Sequence, residues 1–164
     1  MIAEFDAIFA HYRNRGLLID SNILLLYLVG KTDSTDTFLA DAKRNPCGPD
    51  DFAALELIVE KFDRLITTPH IFTEVHNLLQ PEKVKRAVYP VLEKYIQTAS
   101  EVQVSAADVI ETQEFRMFGL TDATIIAVIA LQNYLLLTDD LPLYSYLYQR
   151  GVPAIKFSHF RDRF

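Results

Sequence analysis

Leu17-Leu18-Ile19-Asp20-Ser21-Asn22, running on into Ile23-Leu24-Leu25-Leu26-Tyr27-Leu28-Val29, is the stretch whose reading decides the fold. Leu17 to Ile19 reads as a short buried strand, and the apolar run after Asn22 as a helix. The carboxylate between them therefore sits at a strand's carboxyl end, the edge where open α/β sheets bind ligands. The pattern recurs along the chain. Leu65-Ile66-Thr67-Thr68 leads through Pro69 into a helix carrying Glu74. Tyr134-Leu135-Leu136-Leu137 leads through Thr138 into Asp139-Asp140, and another apolar helix opens on Thr121-Asp122. Strands alternating with helices predict an α/β fold, a parallel sheet flanked by helices in three α/β/α layers.

Between these anchors the expectations are local. Residues 2–15 have Phe5, Ile8, Phe9 and Tyr12 on one helical face. Gly30 is expected to end the helix that follows Asp20. Asn45-Pro46-Cys47-Gly48-Pro49 marks the stretch 31–50 as a loop excursion. Asp50 or Asp51 is expected to cap the next helix. Pro90 is expected to kink or split a helix starting at Pro81. Val102 to Val104 reads as a strand or connector, and Ser105 as the start of a helix ending near Gly119. Thr121 is expected to cap a helix of residues 122–133, apolar on most sides. The 164 residues suit one domain, 1–164, without internal repeats.

Composition narrows the function. Half of the residues are hydrophobic and 23% are charged, which excludes extended disorder. The net charge of −6 argues against a protein that coats nucleic acid with a basic surface, but not against a nuclease that touches it at one metal-bearing place. Cys47 is the only cysteine, so no intrachain disulfide forms and a cytoplasmic location is expected. No signal peptide is expected, and the apolar runs are too short to cross a membrane, which takes about 20 residues.

In a parallel sheet, Asp20, Glu74, Asp122 and Asp140 fall on one edge. Two charges about 4 Å apart repel by roughly 4 kcal/mol at an effective dielectric of about 20. Such a cluster needs protons or cations, and hard oxygen donors suit Mg2+ or Mn2+, which serves phosphodiester hydrolysis. Each acid also has an ordinary reading, since Asp favours helix caps and acids favour helix N-termini. His70 and His76 flank Glu74, but zinc is disfavoured without cysteine partners or tight ligand spacing. Some of Tyr144, Tyr146 and Tyr148 read as packing rather than as base-stacking platforms. Arg150, Arg161, Arg163 and Lys156 are within reach of a phosphate backbone, although such charges are usually a solvated face.

With these pieces assembled, the chain resembles the PIN domains, the fold of many metal-dependent ribonucleases, including the toxin half of VapBC-type toxin–antitoxin pairs. The resemblance rests on Leu18-Ile19-Asp20-Ser21-Asn22, Thr68-Pro69-His70-Ile71-Phe72-Thr73-Glu74-Val75, Leu120-Thr121-Asp122-Ala123 and Leu137-Thr138-Asp139-Asp140, in that order. It implies that Asp20, Glu74 and Asp122 are the first three acids of a site. The family's Thr-x-Asp pattern selects Asp140 as the fourth, with Asp139 beside it as the substitute. Asn22 and Thr138 match polar neighbours that shape the site. The resemblance further implies Mg2+ or Mn2+ on these acids, hydrolysis of single-stranded RNA or RNA loops, often a homodimer, and an antitoxin-like protein partner. The alternative is a catalytically silent PIN-like module that binds protein through the same acids. A haloacid-dehalogenase-type phosphatase is disfavoured because it needs an Asp where Asn22 stands. A receiver domain would place its acidic pair early in the chain.

Overall fold

The computed structural model describes residues 3–32, 49–80 and 82–161. Five strands make one sheet: β1 (Leu17–Ile19), β2 (Leu65–Thr67), β3 (Ser100–Glu101), β4 (Leu135–Thr138) and β5 (Ala154–Lys156). They are ordered β3-β2-β1-β4-β5 and every pairing is parallel. Leu17 stands in register with Leu65 on one side and Leu135 on the other, and Thr138 with Lys156. The chain thus builds outward from β1 in one direction, returns, and builds outward from β4 in the other. The order reverses between β1 and β4, and the carboxyl ends of these strands flank the crevice such a reversal creates.

Helices flank both faces of the sheet, which explains why its central strands do not alternate between apolar and polar residues. Leu17, Leu18 and Ile19, and Leu135 to Leu137, are all without exposure to solvent. Each such side chain stabilises the fold by about 1.5–3 kcal/mol relative to leaving it exposed. In chain order the helices are α1 (Ala3–Tyr12), α2 (Ser21–Gly30), α3 (Pro49–Val59), α4 (Pro69–Leu78), α5 (Glu82–Thr98), α6 (Ala106–Val109), α7 (Gln113–Phe118), α8 (Leu120–Gln132), α9 (Leu141–Gln149) and α10 (Ser158–Arg161). The expected face of α1 packs as read: Phe9 and Tyr12 are buried, and Phe5 lies 4.4 Å, ring to ring, from Phe160 of α10.

Gly30 ends α2 as expected, being its last helical residue, and a Cβ there would lie 2.0 Å from Cδ2 of Phe52, so close packing against α3 also requires the glycine. Other local expectations are corrected. Asp50 and Asp51 lie in the first turn of α3, not at its cap. Pro90 does not split α5, which runs unbroken for 17 residues. The proline is exposed, so water can satisfy the carbonyl whose partner N–H it removes. Of the two readings of Val102 to Val104 the connector holds, the third strand falling just ahead of it at Ser100–Glu101. Ser105 and Thr112 each cap a short helix where one helix was expected. The excursion at 31–50 falls, for residues 33–48, outside the described residues, as do Cys47, Pro81 and Arg163. Among the described residues no helix is long and apolar enough to cross a membrane.

The helix α8 is central along one side only. Ile125, Val128 and Ile129 are buried, whereas Leu131 is 76% exposed. Its cap is not Thr121 but Gly119, at φ +86°, with no side-chain hydrogen bond. A residue with a Cβ is strained at that angle, so the glycine permits the sharp entry that places Asp122 in the first turn.

Candidate acidic active site

Four helices, α2, α4, α8 and α9, begin at the carboxyl edge of the sheet or beside it, and each brings one acid. Asp20 follows β1 and caps α2, with its Oδ1 accepting from the Asn22 backbone N–H at 2.8 Å. Asp140 follows β4 by two residues and caps α9, its Oδ1 accepting from the Leu143 N–H at 2.7 Å. The ordinary reading of Asp20 as a helix cap is therefore correct, and Asp140 proves to be a cap as well; capping does not compete with a role in a cluster. Thr138, fully buried, joins the two: its hydroxyl donates to Asp20 Oδ2 and accepts from the Asp140 N–H at 3.0 Å.

Glu74 comes from the second turn of α4, whose start is set by Pro69 and by Thr68, which accepts the Ile71 N–H. Ile71 and Val75 are buried on the packing side. Ser21, 3% exposed at the first turn of α2, donates its hydroxyl proton to Glu74 Oε2 at 3.0 Å. This contact joins residues 53 positions apart and was not foreseen in the sequence, where Ser21 reads only as part of a strand-to-helix junction.

The acids feel one another. Burial pushes the Asp20 carboxyl from 3.8 up to about 6. The hydrogen bonds from Thr138 and Asn22 work against that rise, while the charges of Asp140 and Glu74 add to it. Burial likewise raises Asp122 from 3.8 to about 7, with Asp20, Asp140 and Glu74 all contributing in the same direction. The charges of Glu74 and Asp140 thus reach both Asp20 and Asp122, and that of Asp20 reaches Asp122. Asp139 is otherwise engaged: its Oδ1 accepts the Ser158 N–H at 2.7 Å and holds the start of α10.

The donor set is all carboxylate and hydroxyl oxygen, carries excess negative charge and costs free energy to ionise. Those properties fit a hard divalent cation, whose charge would reverse the upward shifts. As placed, no three or more of the His, Cys, Asp and Glu side chains among the described residues form a group that could hold a metal ion. Of the histidines beside Glu74, His76 stacks on Tyr89 with ring centroids 5.8 Å apart, and His70 Nδ1 is buried with no hydrogen-bond partner among the described residues. Tyr146 packs as expected: it is buried, donates its hydroxyl proton to Glu114, and carries the Arg150 guanidinium 3.6 Å above its ring. No protein-family model matches the chain, and no curated protein matches it.

Proposed function

We propose that this chain is a Mg2+- or Mn2+-dependent ribonuclease that hydrolyses RNA phosphodiester bonds at Asp20, Glu74, Asp122 and Asp140. The observation that carries the reading is the electrostatic coupling of these four acids at the point where the parallel strand order reverses. Asp20, Asp122 and Asp140 would hold the cation, with Glu74 at its margin. When bound, a divalent ion supplies positive charge to the phosphate and lowers the pKa of an attacking water. The chain's residues supply the rest. Glu74 has Oε2 fixed by Ser21, leaving Oε1 to orient the water and receive its proton. Thr138 keeps Asp20 facing the crevice by holding Oδ2. A reducing cytoplasm belongs to the same proposal, as do a homodimer and an antitoxin-like partner that presents an arginine to the acids.

The second reading is a catalytically silent PIN-like binding module. The same uncompensated negative charge favours it, since a partner's arginine satisfies buried carboxylates as a cation does. One experiment separates the two. RNA cleavage is assayed on single-stranded and structured substrates with Mn2+, Mg2+ or EDTA, beside Asp20→Asn, with Mn2+ binding followed by calorimetry. Metal-dependent cleavage that is lost in Asp20→Asn is the expected result. Absence of both cleavage and Mn2+ binding would overturn the proposal in favour of the binding module.

A further inference from the structure

Asp122 differs from the other three acids in what holds it. Asp20 and Asp140 accept from backbone N–H groups, and Glu74 from the Ser21 hydroxyl. Among the described residues Asp122 accepts no hydrogen bond, and only burial and like charges act on it. Its place therefore follows from where α8 begins. Ile125, Val128 and Ile129 seat the body of that helix, but Leu120, Thr121 and Asp122 in its first turn are only half-buried. The chain enters this turn through Gly119 at φ +86°, with no side-chain cap. A Cβ at Gly119 would meet nothing within 4 Å, so no packing holds the turn at that point. The angle of entry then rests on α7, the helix that leads into it.

No side chain of α7 is fully buried. Among the described residues, the hydrogen bond and the ring contact by which its side chains reach another helix both end on Tyr146 of α9. The Tyr146 hydroxyl donates to Glu114 in the first turn of α7. The Tyr146 ring meets Phe118, the residue before Gly119, edge-on at 5.1 Å. The Tyr146 hydroxyl first, and the Arg150 charge with it, hold the Glu114 carboxyl below its usual range, so the bond is charge-assisted at neutral pH. Tyr146 is itself part of the buried core, and α9 opens on Asp140. One helix thus bears one acid of the site and anchors the element that delivers another. We infer that Tyr146 is a positioning residue: through Glu114 and Phe118 it fixes α7, and with it the Gly119 turn that sets where Asp122 stands relative to Asp20 and Asp140. The inference rests on the proposed reading of these acids as a cation site, and it adds a residue that acts there through α7 rather than by touching cation or substrate.

The test uses the full chain and two measurements. Backbone 15N relaxation in EDTA reads the turn itself, and calorimetry reads Mn2+ affinity. Tyr146→Phe keeps the ring and removes the bond to Glu114. It is expected to loosen residues 115–122, with order parameters falling from about 0.85 toward about 0.6 or resonances broadened by slower exchange. Residues 135–138 should keep their wild-type values. Mn2+ binding should weaken about tenfold, the lower end of what losing an outer support costs a metal site. Glu114→Ala should do the same, and the double variant no more than either, since both remove one bond. Glu114→Gln keeps an acceptor for the hydroxyl and should bind Mn2+ within about threefold of wild type. An unaltered turn, unchanged Mn2+ affinity despite a loosened turn, or additive losses in the double variant would overturn the inference. So would loosening of all elements alike, because the tyrosine would then support the core at large. Failure of the ribonuclease reading looks different. A turn loosened by Tyr146→Phe, in a chain whose wild type neither binds Mn2+ nor cuts RNA, would remove the hydrolase and leave the positioning. Metal-dependent cleavage with Mn2+ affinity indifferent to Tyr146→Phe would do the reverse.

Discussion

Asp20→Asn is expected to stabilise the chain at neutral pH, an unusual outcome for a polar substitution at a buried helix cap. Asp20 is 5% exposed and its carboxyl is raised from 3.8 to about 6, chiefly by burial. At 1.36 kcal/mol per pH unit, ionising it in the folded chain costs about 3 kcal/mol. The sign follows from the direction of the shift. The folded value lies above the unfolded one, so the stability of the protonated form is fully present below pH 3.8. It is lost as pH rises through about 6, and the loss is complete by about pH 7. Asparagine stands in for the protonated acid. It keeps an oxygen for the Asn22 N–H but turns an amide toward Thr138, a rearrangement that costs about 1 kcal/mol. The net gain is about 2 kcal/mol above pH 7, or roughly 4–8 °C in thermal midpoint for a domain of this size. Below pH 4 the sign should reverse, with the variant about 1 kcal/mol less stable than wild type because only the rearrangement cost remains. Urea unfolding of both proteins in EDTA, from about pH 4 to pH 8, measures this directly. A variant less stable than wild type at pH 8, or a gap independent of pH, would refute the reasoning.

The hydrogen bond from Ser21 to Glu74 makes a second prediction. Ser21→Ala should weaken Mn2+ binding by about tenfold, the scale of a hydrogen bond to a charged group, and Ser21→Thr should restore it; equal affinities by calorimetry would show that the contact positions nothing. Gly30→Ala should lower stability by about 1–3 kcal/mol because the new Cβ would meet the Phe52 ring at 2.0 Å. Much of that loss should return in the double variant with Phe52→Ala, and simple additivity of the two losses in chemical unfolding would contradict the packing argument.

The parallel sheet is legible because its central strands are buried on both faces and each ends in a polar residue, a pattern helices do not imitate at that length. The four acids are legible for the same reason, since a junction position in a parallel sheet fixes an edge. What stayed hidden depends on contacts across the fold. Gly30 reads rightly as a helix stop, but nothing local reveals that Phe52 crosses it. Thr121 reads as a cap because a glycine at positive φ with no side-chain bond carries no cap signal. Ser21 is invisible as a partner of Glu74 because the two meet only when α2 and α4 are docked. The choice between Asp139 and Asp140 rests on where each carboxylate points, which adjacency in sequence cannot give: one holds Ser158, and the other acts on Asp20 and Asp122.

The coexistence of caps and cluster bears on why a cation is the natural complement of this edge. Asp20 and Asp140 sit at helix N-termini, where the positive end of the macrodipole favours a carboxylate by about 0.3–1 kcal/mol, and up to about 2 when partly buried. Asp20 also accepts two hydrogen bonds that favour its charged form. These compensations are local and already spent, yet Asp20 still stands at about 6 and Asp122 at about 7. Desolvation and mutual repulsion therefore exceed what the helix termini and hydroxyls return. A fold selected only for stability would place asparagine or serine at such caps, which satisfy the same backbone N–H groups without charge. Carboxylates at both caps, with the charges of Glu74 and Asp122 near them, leave a deficit of positive charge, and among the described residues no cation acts on Asp20 or Asp122. A divalent ion or a partner's guanidinium would make it good, and on the proposed reading only the former supports hydrolysis. If Mn2+ stabilises wild type but not Asp20→Asn, by about 2.7 kcal/mol at a hundredfold excess over its dissociation constant, the ion belongs at these acids. Equal stabilisation of both chains would place it elsewhere.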